Sequence, residues 1–129
     1  MQKRTGILFI SKSSGRIFLT WDGKWTVPTF FRQSSVIEDS KDLIEKYKIE
    51  NAKFVPIELY TSKDNGFEYG TYIVLTDNDF SSDDGTYCWA SLTNLPKNVH
   101  IGLKNTLSNK ITQVKIDTVL ATGKSYDIY

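Results

Sequence analysis

The apolar positions along this chain change their spacing several times, and each change predicts an element. Thr5 to Ile10 is almost continuously apolar, as a strand buried on both faces would be. Ser11 to Gly15 is a cluster of turn formers, so Arg16 to Thr20 reads as the returning strand of a hairpin. A second tight turn follows at Trp21 to Trp25. Ala52 to Tyr60 alternates through Val55, Ile57 and Leu59, with Pro56 marking an edge or a bulge. Asn65 and Gly66 form the strongest short hairpin signal in the chain, and Phe67 to Thr76 is the expected partner strand. Tyr87 to Ser91 reads as a further strand, closed by Leu92 to Pro96. A helix is expected over Ile101 to Leu107. Ile111 to Leu120 alternates and reads as a last strand.

Between the second turn and Ala52 the spacing becomes helical. Ser34 and Ser35 are good N-cap types, and Glu38 lies three residues after Ser35, as in a capping box. The helix should therefore start near Ser35. Ile37, Leu43, Ile44 and Tyr47 recur at core-facing spacing, while Glu38, Asp42 and Glu45 fall on another stripe. Carboxylates converging on one side suit a hard divalent cation such as Mg²⁺, which could hold a phosphate. The same stripe also suits a solvated face on which Asp42 pairs with Lys46, and Glu45 with Lys41 or Lys48.

Composition narrows the class without deciding it. The 129 residues fit one domain, and 40% hydrophobic with 24% charged residues argues against disorder. With 16 basic and 15 acidic residues the net charge is +1, so nothing overall attracts nucleic acid or a membrane, although a local patch is not excluded. One cysteine, Cys88, excludes an internal disulfide and, between Tyr87 and Trp89, suits burial better than nucleophilic chemistry. The apolar run near the N-terminus is too short for a signal or membrane segment, so an intracellular, cytoplasmic protein is expected. Asp77 to Gly85 carries four aspartates but lacks EF-hand ligand spacing, and reads as a mobile surface loop. The lone His100, at the start of a helix, suits capping or packing better than catalysis, with ligand contact as the second reading.

Lys41 to Ile49, KDLIEKYKI, resembles the Nudix helix: basic, acidic, apolar, any, two glutamates, any, glycine, apolar. Trp25 to Pro28, WTVP, resembles the tryptophan and proline that precede it in that family. Trp89 to Leu107, WASLTNLPKNVHIGLKNTL, resembles the later tryptophan, leucine, proline and final helix. The resemblance covers roughly Thr5 to Leu107, leaving 108–129 as a C-terminal extension of a single 1–129 domain. It implies an α/β (α+β) fold, an α/β/α sandwich around a mixed sheet. The implied activity is Mg²⁺- or Mn²⁺-dependent hydrolysis of a nucleoside diphosphate linked to another group, with Asp42 and Glu45 as metal ligands and Glu38 as a substitute ligand or base.

The departures are equally specific. Thr29 and Phe30 stand where the family has two glycines, and no glutamate lies between Pro28 and Glu38. Lys46 replaces the second glutamate of the pair, and an ammonium cannot ligate a cation. Lys48 replaces the glycine. Phe30 and Phe31 either plug the inherited site or offer a stacking surface for a base. These losses favour a non-catalytic module that binds a nucleotide-like ligand or a protein, the latter through the C-terminal strand.

Overall fold

A computed structural model describes residues 2–31, 35–64, 67–82, 85–122 and 126–127. In chain order the elements are β1 (Gln2–Ser11), β2 (Ile17–Trp21), β3 (Trp25–Thr26), β4 (Thr29–Phe31), α1 (Val36–Lys46), β5 (Lys53–Asp64), β6 (Phe67–Thr76), β7 (Tyr87–Ala90), α2 (Ile101–Ser108), α3 (Lys110–Thr122) and β8 (Tyr126–Asp127). Ser34, Asn65 and Gly66 lie outside the described residues, and so does the side chain of Phe31.

The strands form one mixed sheet in the order β3-β2-β1-β6-β5-β8, with β4 also paired to β1 and β7 to β2. β1 is its centre. One edge of β1 runs parallel to β6 along its whole length, from Gln2 opposite Phe67 to Ser11 opposite Thr76. The other edge is shared, β4 pairing antiparallel with Arg4 to Gly6 and β2 with Ile10. A strand with neighbours on both edges and helices on both faces is buried where they cover it, which favours apolar residues there. Thr5 and Ile7 to Ile10 are all fully buried, as the unbroken apolar run predicts.

Residues alternating along the strands divide the core in two. Leu8, Ile10, Ile17, Leu19, Val55, Ile73 and Leu75 pack on one face with Leu103 and Leu107 of α2 and Ile116 and Val119 of α3. Ile7, Phe9, Phe18, Phe54 and Val74 pack on the other with Ile44 and Tyr47 at the end of α1. The result is the expected α/β/α sandwich around a mixed sheet.

The turns follow their residues. Gly15 (φ +71°) and Gly23 (φ +70°) take left-handed backbone in the two early turns, where a side chain would be strained. The register of β5 against β6 shifts between Val55 and Glu58, beside Pro56, which has no N–H to give to a ladder. The first half of the Asp77 to Gly85 segment, through Phe80, is better anchored than its composition suggests. Ser14 Oγ donates to Asp79 Oδ1 at 2.6 Å, and Trp89 Nε1 donates to the Phe80 carbonyl at 2.8 Å. Phe80 itself packs on Phe18, with ring centroids 4.6 Å apart.

The expected strand over Ile111 to Leu120 is instead the helix α3, which corrects the reading. β-Branched residues suggested alternation, but Thr112, Ile116 and Val119 are the buried ones, at i, i+4 and i+7. Asn109 starts the helix, its Oδ1 accepting from the Ile111 N–H at 2.8 Å. The route proposed for a protein partner, through an exposed strand at 111–120, is therefore not available. The extended segment at this end is β8, and it pairs with β5.

Candidate functional site

α1 begins where the capping signal put it. Ser35 is the N-cap, in extended backbone, and its Oγ accepts from the Glu38 N–H at 3.2 Å. Only half of the capping box forms: the Glu38 carboxylate turns to Lys41 Nζ, 3.2 Å away, instead of reaching back to the cap. Ser40 is fully buried and donates to the Val36 carbonyl at 2.6 Å. Ile44 and Tyr47 fill the core and Leu43 is partly buried. Ile37, expected in the core, is 41% exposed, because the buried arc runs through Val36, Ser40 and Leu43.

The helix ends in a Schellman motif. The Ile49 N–H bonds the Ile44 carbonyl at 3.0 Å and the Lys48 N–H bonds the Glu45 carbonyl at 3.1 Å. Ile44 and Ile49 then share the core. The motif requires left-handed backbone at the residue between, and Lys48 has φ +54°. This is the position where the Nudix helix carries glycine, and a left-handed conformation explains that preference. Lys48→Gly is therefore expected to stabilise the domain by about 1 kcal/mol, read as a shift in the urea midpoint. Destabilisation by the glycine would count against strain at this position.

Glu38, Asp42 and Glu45 are all exposed along α1. Lys46 follows Glu45 directly and its Nζ lies 5.7 Å from the centre of the Tyr47 ring. Among the described residues, no group of three or more His, Cys, Asp or Glu side chains converges in a way that could hold a metal ion. A hard cation takes six or more oxygens and leans on carboxylates fixed by their surroundings. Asp42 and Glu45, on an open helix face beside an ammonium, with Glu38 engaged by Lys41, do not fit that demand.

The remaining candidates lie apart from this stripe. Thr29 and Phe30, at the glycine positions, are part of β4 and pair with Gly6 and Thr5. The Phe30 side chain is half-buried and packs against the apolar cluster beneath α1. Phe31 pairs with Arg4 through its backbone. His100 belongs to the other side of the sheet, at the start of α2. Its Nδ1 accepts from the Gly102 N–H at 3.1 Å, and its backbone N–H bonds the Trp25 carbonyl at 2.8 Å. His100 is thus an N-cap. Gly102 is small for the same reason: a Cβ there would come within 3.1 Å of the His100 ring.

The residue that sequence reasoning missed is Phe80. It joins Phe9, Phe18, Tyr47 and Trp89 in an aromatic cluster on the α1 side of the sheet, with Tyr87 stacked on Phe18 at 5.5 Å. A phenylalanine alone among aspartates and serines was the available signal. Burial pushes the Cys88 thiol above its ordinary pKa, which keeps it protonated and suits a packing role.

The chain's sequence matches no family model and no curated protein. Its backbone does resemble solved structures. One is RenU, a Nudix hydrolase from M. smegmatis, with 13% identity, 95% of this chain and 90% of that one covered, and a TM-score of 0.68. Another is a NUDIX family hydrolase from Clostridium perfringens, with 11% identity, 92% and 97% covered, and a TM-score of 0.65. A third is the C-terminal domain of mouse MUTYH, solved in complex with human PCNA, with 10% identity, 89% of each chain covered, and a TM-score of 0.67. At such identities it is the shared path of the backbone, through a mixed sheet with α1 on one face and α2 and α3 on the other, that relates these chains, and by that path this protein has the Nudix fold.

Proposed function

We propose that this protein is a Nudix-fold module that binds without hydrolysing, its ligand being nucleotide-like or a partner protein. The observation that supports this reading is the exposed face of α1. It offers Asp42 and Glu45 at two acidic positions of the Nudix helix, a lysine at the third, and Glu38 held by Lys41. Phe30, where glycines would let backbone amides approach a pyrophosphate, lies against the core instead. The MUTYH domain, solved with PCNA, is an instance of a similar backbone meeting a protein.

A Mg²⁺- or Mn²⁺-dependent pyrophosphohydrolase is the second reading. It is favoured by the left-handed backbone of the Schellman turn at Lys48, the position at which the Nudix helix carries glycine. The test is release of phosphate or nucleotide from nucleoside triphosphates, sugar nucleotides, dinucleotides and capped RNA ends with either metal, run beside Glu45→Ala. No turnover by either protein is expected. Turnover that disappears in Glu45→Ala would overturn the binding reading. Thermal stabilisation by a nucleotide, without turnover, would choose the nucleotide over the protein as ligand, since a ligand of the native state raises its stability by mass action.

A further inference from the structure

α2 is capped by a group that takes up protons. The usual N-cap side chains of serine, threonine and asparagine accept from the helix amides at any pH near neutrality. Here the acceptor is an imidazole nitrogen, His100 Nδ1, to which the Gly102 N–H donates at 3.1 Å. Imidazole accepts at Nδ1 only when neutral with its proton on Nε2, and once protonated both ring nitrogens are donors. Donor would then face donor. The new charge would also stand at the positive end of the helix dipole. Gly102, with no side chain, leaves the ring room over the first turn.

The same residue ties α2 to the β2-β3 ribbon. β3 pairs with β2 along one edge, Thr26 opposite Thr20 and Trp25 opposite Trp21. Its other edge is held by the loop before α2: the Trp25 N–H bonds the Asn98 carbonyl at 2.9 Å, and the His100 N–H bonds the Trp25 carbonyl. The His100 carbonyl in turn accepts from the Lys104 N–H at 2.9 Å, one turn into the helix. Ring, N–H and carbonyl of one residue thus join the first turn of α2 to Trp25, which packs on the core. The charged groups on these elements are Asp22 and Lys24 in the ribbon, Lys97 in the loop and Lys104 in α2. Asp83 and Asp84, in the segment that reaches Trp21 at Thr86, lie outside the described residues. Among the described residues no carboxylate forms an ion pair with His100 that would offset a charge on the ring.

We propose that His100 is a pH-sensitive latch: protonation of its ring releases the N-cap of α2 and, with it, the hold of the preceding loop on β3. The sign follows from the bond. The neutral ring makes the cap and the protonated ring cannot, so the latch is closed at high pH and opens as pH falls, the reverse of a histidine paired with a carboxylate. His100 is the single histidine of the chain, and burial pushes the Cys88 thiol upward, away from this range. Carboxylates ordinarily titrate below about pH 5 and an α-amino group above about pH 7.5. A transition between those limits is therefore assignable to one ring. The latch lies on the sheet face opposite α1, so this proposal and the loss of hydrolysis proposed above stand or fail separately.

The test is proton–nitrogen NMR of the full chain through that range, with His100→Asn and His100→Ala run beside it. In the unaltered chain the Gly102 amide should shift along the same titration curve as the His100 ring, whose neutral form should carry its proton on Nε2. Hydrogen-exchange protection, corrected for the intrinsic rate at each pH, should fall about five- to tenfold at Gly102, Lys104 and Trp25 as the ring is protonated, the effect of losing one cap. His100→Asn, whose side-chain oxygen caps without titrating, should keep its protection throughout. His100→Ala should show the low protection at every pH. Circular dichroism separates a lost cap from a lost fold, and the asparagine variant carries the test if the alanine variant misfolds. A Gly102 amide that does not follow the ring, an equal pH response in His100→Asn, or Trp25 unmoved while Gly102 responds would overturn the proposal.

Discussion

A chain ending at Ser108 is expected not to fold. Such a truncation removes α3, and with it Ile116 and Val119, which are buried with Leu8, Ile17, Ile73 and Leu75 on one face of the sheet. Without α3, Leu103 and Leu107 of α2 lose their cover, and a deficit of several buried side chains is comparable with the whole stability of a small domain, about 5–15 kcal/mol. Point variants separate the helix from the strand that alternation suggested. Ile116→Ala should cost about 2–5 kcal/mol in urea unfolding, whereas Val114→Ala, at a position 60% exposed, should change stability by no more than about 0.5 kcal/mol. A strand would place Val114 and Ile116 on one face, so equal costs at the two positions would rule out the helix.

Phe18→Ala is expected to cost about 3–5 kcal/mol, the largest effect of any single truncation on the α1 side. Phe18 is fully buried, and its ring lies 6.0 Å from Phe9, 5.2 Å from Tyr47, 4.6 Å from Phe80, 5.5 Å from Tyr87 and 5.4 Å from Trp89. Each such pair is worth about 0.5–1.5 kcal/mol beyond the area it buries, although pairs sharing one ring do not add simply. The loss should also free the Asp77 to Gly85 loop, because Phe80 packs on the same ring. Faster amide exchange in that loop should therefore accompany the lower urea midpoint. A cost under about 1 kcal/mol, with loop exchange unchanged, would show that the cluster closes over the gap and that Phe18 is not its centre.

Much of this architecture was legible because short-range physics decides it. The apolar run of β1, the Ser35 cap and the turns at Gly15 and Gly23 each follow from a few neighbouring residues. α3 was misread because its β-branched residues satisfy alternation and helical spacing at once, and the deciding signal was the cap at Asn109. The pairing of β1 with β6 was not legible, since no local pattern announces a partner so distant in the chain. At the candidate site, the motif gave the positions of Asp42 and Glu45 on α1 and of Lys48 just past its end. It could not give the direction in which Glu38 turns, because that depends on competition between the cap and Lys41. Phe80 was hidden for a related reason: its place is set by the rings it meets, and they come from distant strands.

The parallel pairing of β1 with β6 also sets an order of events during synthesis. Gln2 meets Phe67, so the centre of the sheet waits for a partner that leaves the ribosome 65 residues later. At roughly 5–20 residues per second that delay is on the order of 3–13 s. Throughout it the central strand, with its buried run Ile7 to Ile10, has one edge with no neighbour to pair with, and β2 and β4 can shelter only the other. The nascent chain is therefore most open to capture by chaperones, or to association with its own copies, before the hairpin of β5 and β6 arrives.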